Sequence, residues 1–308
     1  MVSHNTSTST SMSTSTNANA ATAGTFTIGG DLTVNRIGYG AMRLPGPEIW
    51  GEPENPDTAR AVLQQAVAAG VNLIDTAWFY GPYVADRLIV EALYPYPADL
   101  VLVTKLGGAR GEDKSWIPAL RPEELRAACE DELRALRLDR FDLVHFRANE
   151  HSDVPFAESF GAMVDLQRAG KIRHLGVSSI TLAQLREAQT MAPVVSVQNL
   201  YNLAYREGED IVDACTRDGI AFMPFFPLAI GQLGRGGGPL TTVAAAHGAS
   251  PGQIALAWLL ARSPEMLLIP GTSSLAHLTE NLAAGAIHLT DAEIAALDAV
   301  PAMRNPLA

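Results

Sequence analysis

From Thr25 onward the chain alternates short apolar runs with longer stretches whose apolar positions recur every three or four residues. The short runs predict strands over residues 36–40, 72–77, 100–105, 141–147, 174–178, 194–198, 220–224 and 267–270. Between them, "DTARAVLQQAVAAG", "ADRLIVEALY", "RPEELRAACEDELRALRL", "FAESFGAMVDLQRAG", "TLAQLREAQT", "GEDIVDACTRDG", "SPGQIALAWLLARS" and "SLAHLTENLAAG" predict helices. Several of these open on a cap or first-turn signal, such as Pro122-Glu123-Glu124 and Ser250-Pro251, and several close on Gly. Ahead of the series, "TFTIGGDLTV" alternates apolar and polar positions on either side of Gly29-Gly30-Asp31, the pattern of a short hairpin. Residues 1–24 are a Ser/Thr/Asn/Ala tract without an apolar segment or an Arg, read as a disordered tail rather than a signal or transit peptide.

Eight strands alternating with eight helices over residues 25–308 predict one α/β domain, a (β/α)₈ TIM barrel with an N-terminal β-hairpin, whose usual size is ~250 residues. A doubly wound open sheet is the alternative. It requires a Gly-rich turn after an early strand, and the run that comes nearest, "GRGGGP" at residues 234–239, is late, lacks an acidic ribose partner and reads as a loop. The 308 residues are 47% hydrophobic, enough for a sizeable core, and the net charge of -11 argues against holding nucleic acid or an anionic membrane by a basic surface. No run of ~18 apolar residues predicts a membrane span. Cys129 and Cys215 show no metal or C-x-x-C spacing and read as reduced thiols in a cytoplasmic protein.

In a closed barrel of this kind the site lies at the C-terminal ends of the strands. The polar residues there are Asp75, Tyr80, Lys105, His145, Arg147, Ser178, Ser179, Gln198, Asn199 and Thr272, with Phe225 beside them. A phenol with its ordinary pKa near ~10 is a poor proton donor at neutral pH unless a cation stabilises its anion. Lys105 closes the strand after the one that leads to Tyr80, and Asp75 can pair with Lys105, so the three predict a tuned acid. The plain alternative is a structural Asp–Lys pair beside a rim Tyr. Alternation along 141–147 turns both His145 and Arg147 to the interior; either can orient a carbonyl, but only His can also carry a proton.

These residues stand in motifs that resemble the aldo-keto reductase family over residues 25–300. "IDTAWFYG" is similar to that family's D-T-A-x-x-Y-G, "VTK" supplies its Lys, and "LGVSS" and "VQNLYN" resemble segments that hold a nicotinamide carboxamide. The resemblance implies Asp75, Tyr80 and Lys105 as catalytic, and Ser178, Ser179 and Gln198 as cofactor-binding. "PFFPL" resembles the run that stacks on the nicotinamide, which implies Phe225, Pro227 and Leu228. "IPGTSSLAHLTEN" resembles the segment that grips the adenosine phosphate, which implies Gly271, Thr272, Ser273, His277, Glu280 and Asn281, with Gly271 where a Lys is usual and His277 where an Arg is usual. The family's catalytic His falls at Arg147 by an ungapped count from Asp142, with His145 two residues earlier.

What the resemblance implies is an NADPH-dependent reductase, with NADH as the alternative cofactor. Its substrate would be an aldehyde or ketone, and the run of motifs is nearest to bacterial members similar to pyridoxal reductases. Trp50, Trp78 and Phe225 read either as a flat apolar slot for an aromatic aldehyde or as ordinary rim packing. Arg43, after "GYGAM", is expected to meet the cofactor, a substrate phosphate or a surface partner. The short sequence after the last helix implies an open pocket. No obligate protein partner, nucleic acid or membrane is expected, and a non-catalytic cofactor sensor or partner subunit on the same fold is the alternative function.

Overall fold

A computed structural model describes residues 18–149, 152–228 and 238–303. Residues 1–17 of the expected tail, and residues 234–237 of the Gly-rich run, lie outside the described residues. Residues 18–24, assigned from sequence to the tail, belong to the fold. A helical turn at Ala20–Ala23 is capped by Asn19, its Ala20 is fully buried, and the Ala20 amide donates to the carbonyl of Ala69 at 2.9 Å. Small Ala side chains allow this close packing, which composition alone reads as disorder.

The hairpin β1 (Thr25–Ile28) and β2 (Leu32–Asn35) is antiparallel, with Ile28 opposite Leu32. Seven parallel strands follow: β3 (Tyr39–Gly40), β4 (Leu73–Asp75), β5 (Val101–Leu106), β8 (Phe141–Arg147), β9 (Ile172–Ser178), β10 (Val194–Gln198) and β11 (Ala221–Phe222), neighbours in that order. The sheet closes through two single bridges, Ile37 to Leu268 and Phe222 to Met266. The expected eighth strand is therefore two bridges and not a ladder, because Pro270 ends the run after a few residues and has no N–H to give. The barrel thus forms as expected, with the first and seventh strands shorter than their apolar runs.

The helices are α1 (Pro56–Ala68), α2 (Val84–Leu93), α3 (Pro122–Leu136), α4 (Phe156–Arg168), α5 (Leu182–Met191), α6 (Glu209–Asp218), α7 (Pro239–His247), α8 (Pro251–Arg262), α9 (Leu275–Ala283) and α10 (Asp291–Asp298). Helices α7 and α10 were not expected, nor was the hairpin β6 (Gly108–Arg110) and β7 (Trp116–Pro118) that rises after β5. One apolar cluster lies between strands and helices. A second fills the barrel: Leu73, Val101, Val103, Leu143, Ala221, Met223, Leu267 and Ile269 meet Ile28, Leu32 and Val34 of the hairpin, which stops the N-terminal end. No described helix is long and apolar enough to cross a membrane.

Candidate active site

Strand alternation turns every second residue inward, and at the C-terminal end the inward positions are polar. Val103 pairs with Leu143, Lys105 with His145, His145 with Gly176, Arg147 with Ser178, and Ser178 with Gln198. The apolar interior therefore gives way, over one repeat, to a ring of chemistry-bearing groups.

Lys105 is 2% exposed; its ammonium donates to Asp75 Oδ2 at 2.6 Å and to the Thr76 carbonyl at 3.0 Å. The other oxygen of Asp75 accepts from Gln198 Nε2 at 2.9 Å. Gln198, expected at the cofactor amide, therefore also fixes Asp75. Burial works against the Lys105 charge, but Asp75 and Tyr80 together outweigh it and hold the ammonium above its usual range. Tyr80 follows β4 in a tight turn, its amide donating to Ala77 O at 2.9 Å, and the Lys105 ammonium lies 5.2 Å from its ring centroid.

The Tyr80 hydroxyl departs from expectation in sign. Burial raises its pKa, and Lys105 and then Arg147 oppose that rise without reversing it, while Asp75 adds to it. The phenol is thus held in its protonated form, ready to donate, and Lys105 limits the cost of the anion left behind.

The two candidates on β8 separate clearly. His145 is fully buried, its Nε2 2.9 Å from Ser196 Oγ, and its ring lies over Gly176, where a Cβ would stand 2.5 Å from His145 Cδ2. Burial first and the Lys105 charge second push its pKa down to about 3, so the imidazole is neutral. Its Nδ1 meets no hydrogen-bonding group of the described residues. Arg147 lies one inward position nearer the mouth, half-buried; burial disfavours its charge and the Tyr80 hydroxyl acts electrostatically in the opposite direction.

The expected cofactor residues form two groups. In the first, Ser178 Oγ is buried without a partner among the described residues, an orphaned hydroxyl at the mouth that suits a polar ligand group such as a carboxamide. Ser179 adopts positive φ (56°) and donates to Gln198 O at 3.1 Å. Asn199 clamps both the amide and the carbonyl of Ile180, at 3.2 and 2.7 Å. Phe225 is half-buried at the rim, its amide donating to Asn199 O at 3.0 Å, and Phe226 behind it is held by Asn202 Nδ2 at 2.9 Å. Pro227 is buried and Leu228 half-buried behind them.

The second group follows the eighth run. Tyr39 Oη donates to Thr272 O at 2.6 Å, Thr272 Oγ1 accepts from the Ser274 amide at 3.0 Å, and Ser274 caps α9. Gly271 lies directly on the first strand, Ser273 and His277 are exposed, Glu280 is half-buried with its carbonyl accepting from Gln253 Nε2 at 3.0 Å, and Asn281 is buried. The three rings follow the rim-packing reading and not the slot: Trp78 packs on Phe79 and Tyr83, Trp50 lies against Arg110, and Phe225 packs on Phe226. Each ring is taken by its nearest neighbour in sequence or by a cation.

Sequence reasoning missed Thr76, Ser196 and Asn202. Alternation counted back from Gln198 turns Ser196 inward, so that signal was present. No group of three or more His, Cys, Asp or Glu among the described residues could hold a metal ion.

Comparison with known proteins agrees with this geometry. The Aldo/keto reductase family model matches residues 36–302. The chain is 47% identical over 284 residues to the pyridoxine 4-dehydrogenase of Escherichia coli K12, covering 91% of this chain and 99% of that protein. It is 42% identical over 276 residues to an uncharacterized oxidoreductase of Schizosaccharomyces pombe, covering 90% and 89%. Among solved structures, an aldo/keto reductase from Klebsiella pneumoniae in complex with NADP and acetate superposes with a TM-score of 0.74 at 28% identity, covering 91% and 97%.

Proposed function

Since the chain belongs to the aldo/keto reductase family and is an NAD(P)H-dependent oxidoreductase, we propose that it reduces an aldehyde or ketone with NADPH and that its substrates are aromatic aldehydes of the pyridoxal type. The observation that carries the reading is the buried cluster of Tyr80, Lys105 and Asp75: a protonated phenol, a cation beside it and a carboxylate fixed by Gln198. The substrate class is supported by the E. coli relative named for pyridoxine, and the choice of NADPH by the solved NADP complex. The buried, unpaired thiols of Cys129 and Cys215 suit a cytoplasmic protein.

A reduced nicotinamide at the mouth would supply a hydride to the carbonyl carbon. Ser178 and Gln198 would hold its amide end and Phe225 would cover its ring. The carbonyl oxygen accepts from Tyr80 Oη; as charge grows on that oxygen the phenol proton passes to it, and Lys105 stabilises the phenolate. Arg147 adds a second, permanently charged donor toward the oxygen, whereas His145, neutral and bonded to Ser196, keeps the inner wall in place. Tyr80→Phe removes the donor alone: we expect a loss of turnover of about 10²-fold or more with pyridoxal or a nitrobenzaldehyde, while NADPH still quenches protein fluorescence as in the parent. Equal turnover in parent and variant, or none in either, would overturn the assignment and leave a cofactor-binding protein.

A further inference from the structure

The segment that carries Phe225 and Phe226 bears a backbone cost. Phe226 has φ 52°, in the left-handed region where a Cβ is crowded against the backbone. Pro227 follows it and favours extended backbone at the residue before, so an aromatic side chain here is disfavoured on two counts. Such strain persists only where the surroundings over-determine the conformation.

Asn202 supplies the constraint. It is fully buried, and its Nδ2 donates to the Phe226 carbonyl at 2.9 Å. Its Oδ1 accepts from the amides of Ala204 and Tyr205, each at 2.9 Å, which fixes the side-chain amide with its donor toward Phe226. The Asn202 amide donates to Tyr205 O at 2.9 Å and the Tyr205 amide donates to Asn202 O at 3.1 Å, so the 202–205 turn is closed from both sides. That turn is fastened to the last described residues: the Met303 amide donates to Ala204 O at 2.7 Å, and Arg206 donates to the carbonyls of Asp298 and Val300. On the side of the site, Phe225 donates its amide to Asn199 O at 3.0 Å, bridges to Leu200, and meets the Phe226 ring edge to face at 5.5 Å. Phe225 is thus held from the loop before Asn202 and followed by a residue whose φ is pinned through Asn202.

We propose that Asn202 is a positioning residue, which holds Phe226 in the left-handed conformation and so sets the ring of Phe225 over the nicotinamide end of the cofactor. The inference rests on the reading of the chain as a nicotinamide-dependent carbonyl reductase, and it adds to that reading a side chain that acts through Phe226. Asp at position 202 keeps the acceptor for the two amides and loses the donor to Phe226. Gly at position 226 takes the same φ without the Cβ cost, so the conformation no longer needs to be held. The two substitutions are therefore expected to be non-additive.

Calorimetry measures the dissociation constants of NADPH and NADH for the parent, Asn202→Asp, Phe226→Gly and the double variant, each with its thermal midpoint recorded. Asn202→Asp should weaken both nucleotides by the same factor of about tenfold, since the nicotinamide end is common to them. Introduced into Phe226→Gly, the same substitution should weaken them by less than about twofold. An equal loss in both backgrounds, no loss in either, or a loss confined to NADPH overturns the proposal. If Asn202→Asp does not fold, Asn202→Ser, which also lacks Nδ2, is read by the same criteria. A parent that binds neither nucleotide overturns the underlying reading and this proposal with it, so the two failures are told apart by the parent alone.

Discussion

At the level of single residues, the candidate site changes character with depth along one strand. His145 and Arg147 share β8 and face the same interior, yet one inward step separates a neutral, wall-forming ring from a charged group that interacts with Tyr80. Arg147→Met is therefore expected to lower turnover by about 10²-fold, and His145→Gln, which keeps a group able to bond Ser196, by only a few-fold. A His145→Gln loss as large as that of Arg147→Met would assign the chemistry to the imidazole instead. The pH behaviour carries the same logic. Burial raises the Tyr80 pKa above its ordinary ~10, so the acid form is present throughout the neutral range and reduction should be flat from about pH 6 to 9, where His145 adds no limb. Oxidation of the alcohol needs the phenolate and should rise with pH over that range; a falling or bell-shaped oxidation profile would contradict the assignment. Asp75, Tyr80 and Lys105 were legible in sequence because each ends or follows an apolar run. The sign of the Tyr80 shift was not, because it depends on how deeply the turn is buried.

Between elements, the unusual feature is a pair of carboxyl groups sealed where α2 and α3 pack on β4 and β5. Asp86 and Glu132 are fully buried; Thr76 Oγ1 donates to Asp86 at 2.7 Å and Thr104 Oγ1 to Glu132, each from the residue next to Asp75 or Lys105. Their second oxygens have no partner among the described residues. Burial raises both pKa values, that of Asp86 to about 6, with the Asp86 charge raising Glu132 further and Lys105 opposing both. The raised pKa of Asp86 contributes stability that is fully present below about pH 4 and is lost as pH rises through about 6, and Glu132, also raised, acts in the same direction. Glu132→Gln keeps the acceptor for Thr104 and removes the titrating group, so the variant should be more stable than the parent at about pH 8 and little different from it at about pH 4.5. Urea unfolding at the two values measures this, and an equal difference at both would refute it. Glu132 lies on the apolar stripe of Leu125, Cys129, Leu133 and Leu136, so its burial was readable from helical spacing. Helix α10 was also readable, since Thr290 and Glu293 form a capping box. The β6–β7 hairpin was not: "GARGEDKSWIP" reads as a charged loop, and it is held by contacts of Arg110 with carbonyls and rings from a distant segment.

Across the whole molecule, the barrel separates stability from chemistry by placing them at opposite ends. The barrel and its N-terminal hairpin were legible because buried strands and amphipathic helices differ in period; the way the barrel closes was not, because two single bridges leave no periodic trace. At the closed end Ile28 and Val34 are fully buried against the lower strands, and Asp31 latches the hairpin to β9 through Arg173 at 2.5 Å and His174 at 2.7 Å. The plug shares its apolar cluster with Leu73, Val101, Leu143 and Leu267, which precede Asp75, Lys105, His145 and the 271–281 segment along the chain. Ile28→Ala should then cost about 2–5 kcal/mol of stability, as an unfilled core cavity does, while kcat and the NADPH dissociation constant of the folded fraction stay within about twofold of the parent. Denaturant unfolding and nucleotide titration on the same preparation test both halves. A large change in nucleotide affinity alongside the stability loss would mean that the plug is coupled to the mouth through the barrel, and that the two ends do not act independently.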